Sequence, residues 1–294
     1  MINVYEQVSI NKFKSGLIIS LFIGFILGAT YLISQAFGFG NEFMIFALVI
    51  SFGMSGVSYF WGDQIVVSLN GAKPANRKEF FDFYTVTENL SMANRTPMPK
   101  VYVIDSPAMN AFATGRDPEH SLVCATTGLL QKLNRTELEA VIGHELSHIK
   151  NYDIRLMMIV SILIGTLSIV VNFATNSMFF GGRDNDSDNN NPFIAIIGLV
   201  LIIFAPIIAQ LIQLAISRRR EFLADASAVK LTRQPQGLID ALKKISTDSS
   251  KLETASTATA SLYISNPFKG NKVASLFSTH PPIEDRIATL TKML

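Results

Sequence analysis

The sequence predicts an α-helical membrane protein with four transmembrane helices and an α+β cytoplasmic domain. Hydrophobic residues make up 49% of the 294-residue chain and charged residues only 16%, whereas about a quarter of the residues of a soluble domain are charged. Four stretches without a charged residue are each long enough to cross a hydrocarbon core about 30 Å thick. They are Ser15–Phe37, Phe43–Trp61, Leu156–Phe173 and Pro192–Ile216.

The first and third stretches each have an alternative interpretation. The apolar run of the first is longer than that of a cleaved signal peptide, and no clear A-x-A-like cleavage site follows it. We therefore expect the first stretch to remain as a membrane anchor. The third stretch is the shortest of the four, and a buried, tilted or re-entrant helix is its alternative.

Lysine and arginine residues flank all four stretches on one predicted side of the membrane. Such residues are enriched in cytoplasmic flanks, whereas the opposite loops, residues 38–42 and 181–191, contain only Arg183. Both termini and the region between the second and third stretches are therefore predicted to face the cytoplasm. The flanking cations are Lys12, Lys14, Lys73, Arg77, Lys78, Lys150, Arg155 and Arg218–Arg220.

This topology divides the chain into four parts. Residues 1–61 are predicted to form an N-terminal transmembrane hairpin, and residues 156–216 a second one. Residues 62–155 and 217–294 are two cytoplasmic regions that we expect to assemble into one domain. The net charge of +2 argues against a nucleic-acid surface, and the single cysteine, Cys124, is predicted to be a small core residue.

The cytoplasmic regions contain predicted helices, strands and loops. Arg77–Asn94 has amphipathic helical periodicity. Lys100–Asp105 and Ser121–Thr126 are short β-rich runs, and Asn110–Gly115 lies between them as an ordinary strand with a glycine turn. The Ser- and Thr-rich stretch Ser246–Ser261 is predicted to form a loop, with the lining of a cleft as the alternative.

A histidine pair on a predicted helix indicates a metal site. Residues 143–149 read Gly-His-Glu-Leu-Ser-His-Ile. His144 and His148 are four residues apart on one helical face, so both can offer an imidazole nitrogen to a single ion. Thr136 and Glu139 are predicted to form the capping box that starts this helix. Two surface histidines on an ordinary amphipathic helix are the alternative.

Glu145, directly after the first histidine, indicates which reaction the motif performs. Zinc with three protein ligands and one open position lowers the pKa of its bound water to about 7, and a carboxylate beside it can accept the proton as that water attacks a carbonyl. The motif therefore predicts peptide-bond hydrolysis, with Glu145 as the general base and one zinc ion per chain.

A third zinc ligand is expected from the helix that follows the fourth stretch. A hairpin of the third and fourth stretches returns the chain to the membrane face that carries His148, where Glu221 can complete a His₂Glu site. This ligand set makes the predicted α+β cytoplasmic domain a zincin-type (gluzincin) domain. Asp225, on the same helical face, is predicted to accept the second N–H of a ligand histidine. Surface ion pairs of both carboxylates with Arg218–Arg220 are the alternative.

Four motifs, separated along the chain, extend this prediction. They are N-A-F-A-T-G at 110–115, H-E-L-S-H-I-x-N-x-D at 144–153, R-R-E-F-x-A-D at 219–225 and T-H-P-P-x-x-x-R-I at 279–287. In this order, and with the paired N-terminal stretches, they resemble the HtpX family of bacterial integral-membrane zinc metalloproteases, which is related to the prenyl-protein proteases of eukaryotes. The resemblance covers nearly the whole chain.

The resemblance implies a role for particular residues in each motif. It implies that His144, His148 and Glu221 bind zinc and that Glu145 is the general base. It also implies an edge strand that pairs with the substrate backbone, as in strand addition. The residues of this strand are Asn110, Ala111, Phe112 and Ala113.

The last motif is implied to lie near the active site. A cation there, from His280 or Arg286, can stabilise the oxyanion of a tetrahedral intermediate. The alternatives are that His280 belongs to a proline-rich turn and that Arg286 is the partner in an internal ion pair. We expect Arg286 to have a supporting role, and His280 to act in substrate binding or in transition-state stabilisation.

Motifs and resemblance together predict a membrane-bound zinc endopeptidase of the bacterial inner membrane, which cleaves misfolded or damaged membrane proteins on the cytoplasmic side in quality control and stress response. Its expected partners are polypeptide substrates and the lipid bilayer. A catalytically silent zinc-binding scaffold, a prenyl-protein-type protease and a transporter with a zinc sensor are the alternatives. Glu145 argues against the scaffold, and the absence of ionisable residues from all four stretches argues against the transporter.

Overall fold

Two long helices begin the chain, α1 (Val4–Phe37) and α2 (Asn41–Leu69), and they pack against each other. The computed structural model describes residues 4–37, 41–163, 218–255, 259–267 and 281–294. Within these ranges, no helix combines the length and the hydropathy that a membrane span requires. The fourth predicted stretch, the third beyond residue 163 and the loop at 181–191 lie outside the described residues, and the four spans stay a prediction.

A four-stranded mixed sheet lies at the centre of the domain. Across the sheet the strands follow the order β1 (Lys73–Pro74), β2 (Lys100–Ile104), β4 (His120–Thr126) and β3 (Ala111–Asp117). β2 and β4 are parallel, and the other two pairs are antiparallel. Both β-rich runs predicted from the sequence are confirmed as strands, and β3 is at one edge of the sheet.

Seven further helices surround the sheet in the described part of the chain. The predicted helix from Arg77 begins only at Phe81, because the N–H of Lys78 donates to the side chain of Asn76 and residues 77–80 form a turn. The helices are α3 (Phe81–Asn94), α4 (Thr127–Lys132), α5 (Arg135–Lys150), α6 (153–163, where the described range ends), α7 (Arg218–Thr232), α8 (Pro235–Thr247) and α9 (Ile283–Thr291), with a 3₁₀ turn at Ala260–Leu262.

The capping box of α5 differs from the predicted one. Asn134 is the N-cap: its side chain accepts from the N–H of Glu137, whose carboxylate accepts from the N–H of Asn134. The prediction of Thr136 and Glu139 is wrong, although both pairs have the required spacing. Asn134 has the extended backbone of an N-cap residue, whereas Thr136 is already in the first turn and Glu139 binds Arg135.

Helices cover both faces of the sheet. On one face, Val123 packs with apolar residues of α3, α5 and α8. On the other face, Cys124 packs with Val66 of α2 and with Met157 and Met158 of α6. Cys124 is a buried core residue, as predicted, and burial raises the pKa of its thiol. The helix that carries the histidine pair therefore lies directly on the sheet, beside β3.

Small residues let α7 pack closely along α5. The Cα atom of Ala228 lies 3.5 Å from the position that a Cβ on Gly143 would take. Leu290 of α9 packs on the same pair of helices, together with Leu238 of α8. This packing brings Glu221, near the start of α7, to the middle of α5.

Candidate active site

His144 and His148 face each other on the buried side of α5. The exposed fractions of the two residues are 0% and 6%, and their Nε2 atoms lie 3.1 Å apart. In a neutral imidazole, the nitrogen without a proton is an acceptor. Two such nitrogens at this separation are suited to a shared cation, and the helical spacing of the motif produces this arrangement.

Glu221 of α7 brings a carboxylate to the same point. Its Oε2 atom lies 3.6 Å from Nε2 of His144, and its Oε1 atom lies 3.6 Å from Nε2 of His148. Zinc–nitrogen bonds of about 2.0–2.1 Å in a tetrahedron separate neighbouring ligand atoms by about 3.4 Å. The separation of the two Nε2 atoms is close to this value, and one ligand atom from each of the three side chains lies within 4.8 Å of the other two, so the three side chains can converge on one zinc ion.

Asp225 and Arg286 form a buried ion pair behind His144. Oδ1 of Asp225 lies 2.9 Å from Nδ1 of His144. Arg286 donates from Nε and Nη2 to the two carboxylate oxygens of Asp225, at 2.9 and 2.6 Å. Arg286 is fully buried, and its guanidinium holds the Asp225 carboxylate against the imidazole. With Nδ1 held by Asp225, the Nε2 atom of His144 lies on the side of Glu221 and His148.

Asp153 contacts the ring of His148 as Asp225 contacts the ring of His144. Oδ2 of Asp153 lies 2.9 Å from Nδ1 of His148, and Arg220 donates to Oδ1 at 3.3 Å. Sequence reasoning missed this contact. Its signal is the position of Asp153 at the end of the 144–153 motif, five residues after His148 and just beyond α5, where the chain turns back toward the ring.

Neighbouring charges shift the pKa values of His144 and Asp225 in opposite directions. Burial and Arg286 act to lower the pKa of His144, but contacts with Asp225 and Glu221 outweigh them and raise it to about 9. Burial acts to raise the pKa of Asp225, but Arg286 and His144 outweigh it and lower the pKa to about 2. Asp225 is therefore an ionised partner for His144 at neutral pH.

Glu145 is 2% exposed, and its carboxyl group interacts electrostatically with His144, His148 and Glu221. Burial raises the pKa of its carboxyl group, the imidazoles of His144 and His148 act in the opposite direction, and the Glu221 carboxylate raises the pKa further. A raised carboxyl pKa suits a group that must accept a proton and then release it.

The free edge of β3 is partly occupied by residues of the same chain. The N–H of Ile264 donates to the carbonyl of Ala111 at 2.9 Å. The side-chain amide of Asn110 donates to the backbone carbonyl of Ser265 at 3.0 Å and accepts from the backbone N–H of Ser265 at 3.3 Å. Residues 263–265 thus lie along the start of the edge strand, which the sequence did not indicate.

Most of the predicted site residues lie together. The edge strand lies beside α5, which carries three of them. His280 is outside the described residues, and its role stays a prediction. Arg286 binds Asp225, and its Nη2 atom also lies 3.4 Å from Nδ1 of His144. The residues of the buried cluster are His144, Glu145, His148, Glu221, Asp225 and Arg286.

Comparison with known proteins gives consistent results. Residues 80–294 match the family described as peptidase family M48. A "Protease HtpX homolog" of Ligilactobacillus salivarius is 43% identical over 297 residues, which cover 99% of this chain and 100% of that protein. A protein of the same description from Dictyoglomus turgidum is 42% identical over 289 residues, which cover 98% of this chain and 94% of that protein.

A solved structure shows a similar fold. The crystal structure of S. mikatae Ste24p has a TM-score of 0.51 and 22% identity, and the match covers 96% of this chain and 66% of that one. The family match includes all the residues of the buried cluster, and the relatives align over nearly the full length of the chain. The chain therefore belongs to peptidase family M48 and is a metalloprotease.

Proposed function

We propose that this metalloprotease is a membrane-bound zinc endopeptidase that cleaves misfolded or damaged membrane proteins on the cytoplasmic side of the bacterial inner membrane. The observation that carries the proposal is the convergence of His144, His148 and Glu221 at separations that suit one zinc ion per chain. Zinc bound by these residues supplies Lewis-acid chemistry, because it polarises a carbonyl and lowers the pKa of a water molecule to about 7.

Glu145 moves the proton of the reaction. Its carboxylate accepts a proton from the attacking water while the water oxygen bonds to the carbonyl carbon of the peptide. It then passes the proton to the nitrogen as the C–N bond breaks. The immediate products are a carboxylic acid and an amine. The proton of the acid then passes to the amine, which gives a carboxylate and an ammonium group, and no covalent bond to the enzyme forms. The raised pKa of Glu145 suits both transfers.

Asp153, Asp225 and Arg286 act as positioning residues. Each carboxylate accepts from the Nδ1–H of one histidine, so both histidines keep the tautomer that presents Nε2 to the metal. Two N–H groups of Arg286 are engaged by Asp225. We therefore assign Arg286 to the support of Asp225 rather than to the oxyanion. His280 remains our candidate for substrate binding or transition-state stabilisation.

The edge strand β3 is the proposed binding site for the substrate backbone. Alternate residues of an edge strand direct their N–H and C=O groups away from the sheet. In β3 these include Ala111 and Ala113, because Asn110 bonds to Thr126 of β4. The outward carbonyl of Ala111 already accepts from the N–H of Ile264. In the described part of the chain, no backbone hydrogen bond reaches the outward groups of Ala113. We propose that the substrate strand pairs with Ala113.

Replacing Ala113 with proline should lower kcat/KM about 3- to 10-fold, mainly by raising KM. The substitution removes one outward N–H, and one hydrogen bond contributes about 0.5–1.5 kcal/mol. Proline is tolerated on an edge strand where the N–H faces away from the sheet. Steady-state cleavage of a peptide measures the effect. Ala113→Gly keeps the N–H and is the matched control; equal kinetics of the two variants would contradict substrate pairing at this residue.

The surface of α1 and α2 supports the proposed membrane attachment. Soluble proteins rarely expose large continuous apolar surfaces, and lipid tails can cover such a surface. We propose that residues 1–61 and 156–216 form two membrane hairpins and that residues 62–155 and 217–294 form the cytoplasmic domain. Within the first two predicted stretches, the large apolar side chains with exposed fractions of 43–62% are Leu17, Leu21, Tyr31, Ile45, Val49, Phe52, Val57, Phe60 and Trp61.

Sealed membrane vesicles can test the metal and the orientation in one experiment. In vesicles with the cytoplasmic face outward, the full-length protein should cleave an unfolded membrane protein added outside. A membrane-impermeant chelator should stop cleavage, and excess zinc should restore it. Vesicles of the opposite orientation should cleave only after detergent opens them. Cleavage that survives the chelator in opened vesicles would contradict the zinc mechanism, and equal cleavage by both sealed orientations would contradict the cytoplasmic site.

A further inference from the structure

The N-terminal helix reaches the histidine cluster through one buried polar residue. Asn11, in α1, is 1% exposed. Two turns further along α1, Ile18 packs with Leu156, Ile159 and Val160 of α6. This apolar contact holds α1 against α6, which begins directly after the loop that follows α5. Asn11 is therefore fixed beside that loop.

The side-chain amide of Asn11 donates both to this loop and to the first residue of α6. Nδ2 of Asn11 lies 2.9 Å from the carbonyl oxygen of Asn151 and 2.6 Å from Oδ1 of Asp153. The other oxygen of Asp153 contacts Nδ1 of His148 at 2.9 Å. A continuous chain of hydrogen bonds thus runs from α1 through Asp153 to a proposed zinc ligand.

The loop between α5 and α6 needs such support. Tyr152, between the two residues that Asn11 binds, has a positive φ of 60°, which is an uncommon conformation for a residue with a side chain. Asp153 must hold its carboxylate in one plane to orient the His148 ring. Asn11 restrains both the backbone of the loop, at Asn151, and the carboxylate itself.

We propose that Asn11 is a positioning residue for the metal site, which acts through Asp153 on His148. In this role α1 is part of the structural support of the active site as well as a membrane anchor. The inference rests on the proposed zinc site. Mutation of a residue that holds a metal ligand by hydrogen bonding typically weakens metal binding about 10- to 100-fold. Because Arg220 also binds Asp153, we expect removal of Asn11 to have an effect at the lower end of this range.

Zinc affinity of the full-length chain in detergent tests the inference by competition with a chromogenic chelator. Asn11→Leu, which has a similar volume and no hydrogen-bond donor, should weaken zinc binding about 10-fold. Asn11→Ala, which adds no apolar group to the loop, should do the same. Ile18→Ala is the matched control: it loosens the same helix contact without touching Asp153, and it should change zinc affinity less than 2-fold while lowering the melting temperature.

A double-mutant cycle separates positioning from general destabilisation. Asp153→Asn alone should weaken zinc binding. Adding Asn11→Leu to it should weaken binding little further, because Asn11 acts on His148 only through the Asp153 carboxylate, which is already absent. Unchanged affinity in both Asn11 variants, or the same loss from Asn11→Leu with and without Asp153→Asn, would overturn the inference. Failure of the wild-type chain to bind zinc would instead contradict the proposed function.

Discussion

Replacing Glu145 with glutamine should lower the rate of peptide cleavage about 10²–10⁴-fold and leave one zinc ion bound per chain. Glutamine has nearly the same shape, but it cannot accept a proton, and a positioned general base typically contributes a factor of this size. Glu145 is buried beside the proposed metal ligands without being one of them. Loss of cleavage with retention of zinc therefore distinguishes a base from a ligand.

The measurement is cleavage of an unfolded polypeptide by the purified full-length protein, with the zinc content determined on the same preparations. Glu139→Gln is the matched control, because Glu139 is on the same helix, pairs with Arg135 and is far more exposed. That variant should retain nearly full activity. Cleavage by Glu145→Gln at the wild-type rate would show that another group accepts the proton.

Replacing Arg286 with methionine should destabilise the folded domain by about 3–5 kcal/mol. Removing one partner of a buried ion pair leaves the other charge without compensation, and effects of this size are typical. Arg286 is fully buried, and the side chain of its partner Asp225 is only 2% exposed. The low pKa of Asp225 depends largely on Arg286, so the variant should also weaken the hold of Asp225 on His144.

Thermal unfolding in detergent, followed by circular dichroism, measures this effect. A loss of 3–5 kcal/mol corresponds to a decrease in the melting temperature of about 10 °C for a domain of this size. Arg135→Met removes an arginine that forms exposed pairs with Asp82 and Glu139, and it should cost less than about 1 kcal/mol. Equal shifts for the two variants would show that the buried pair contributes no more than a surface pair.

The local elements of the domain were predictable because their causes are local. Helical spacing places His144 and His148 on one face, and short β-rich runs indicate the strands. The start of α5 shows the limit of this reasoning. Thr136 and Asn134 both stand three residues before a glutamate, and the sequence pattern does not distinguish them. The extended backbone conformation at Asn134 decides which residue is the cap.

Distant contacts could be predicted only in part. Glu221 was expected near the histidines because a hairpin would return the chain to the same membrane face, and the packing of α7 on α5 brings it there. The contacts of Asn11 with Asp153 and of Ile264 with Ala111 join segments more than 100 residues apart. Neither contact leaves a periodic pattern, because each depends on one side chain or one backbone group.

By itself, the sequence determined the type of chemistry, because a histidine pair with a glutamate between them indicated a metalloprotease. The carboxylate that would complete the ligand set and the membrane spans stay predictions. Only the tertiary structure decided which groups hold those ligands in place. Arg286 and Asn11 reach the two histidines, through Asp225 and Asp153, by packing between helices that are far apart in the chain. Such support depends on the relative positions of whole elements, and residue spacing within one element carries no information about it.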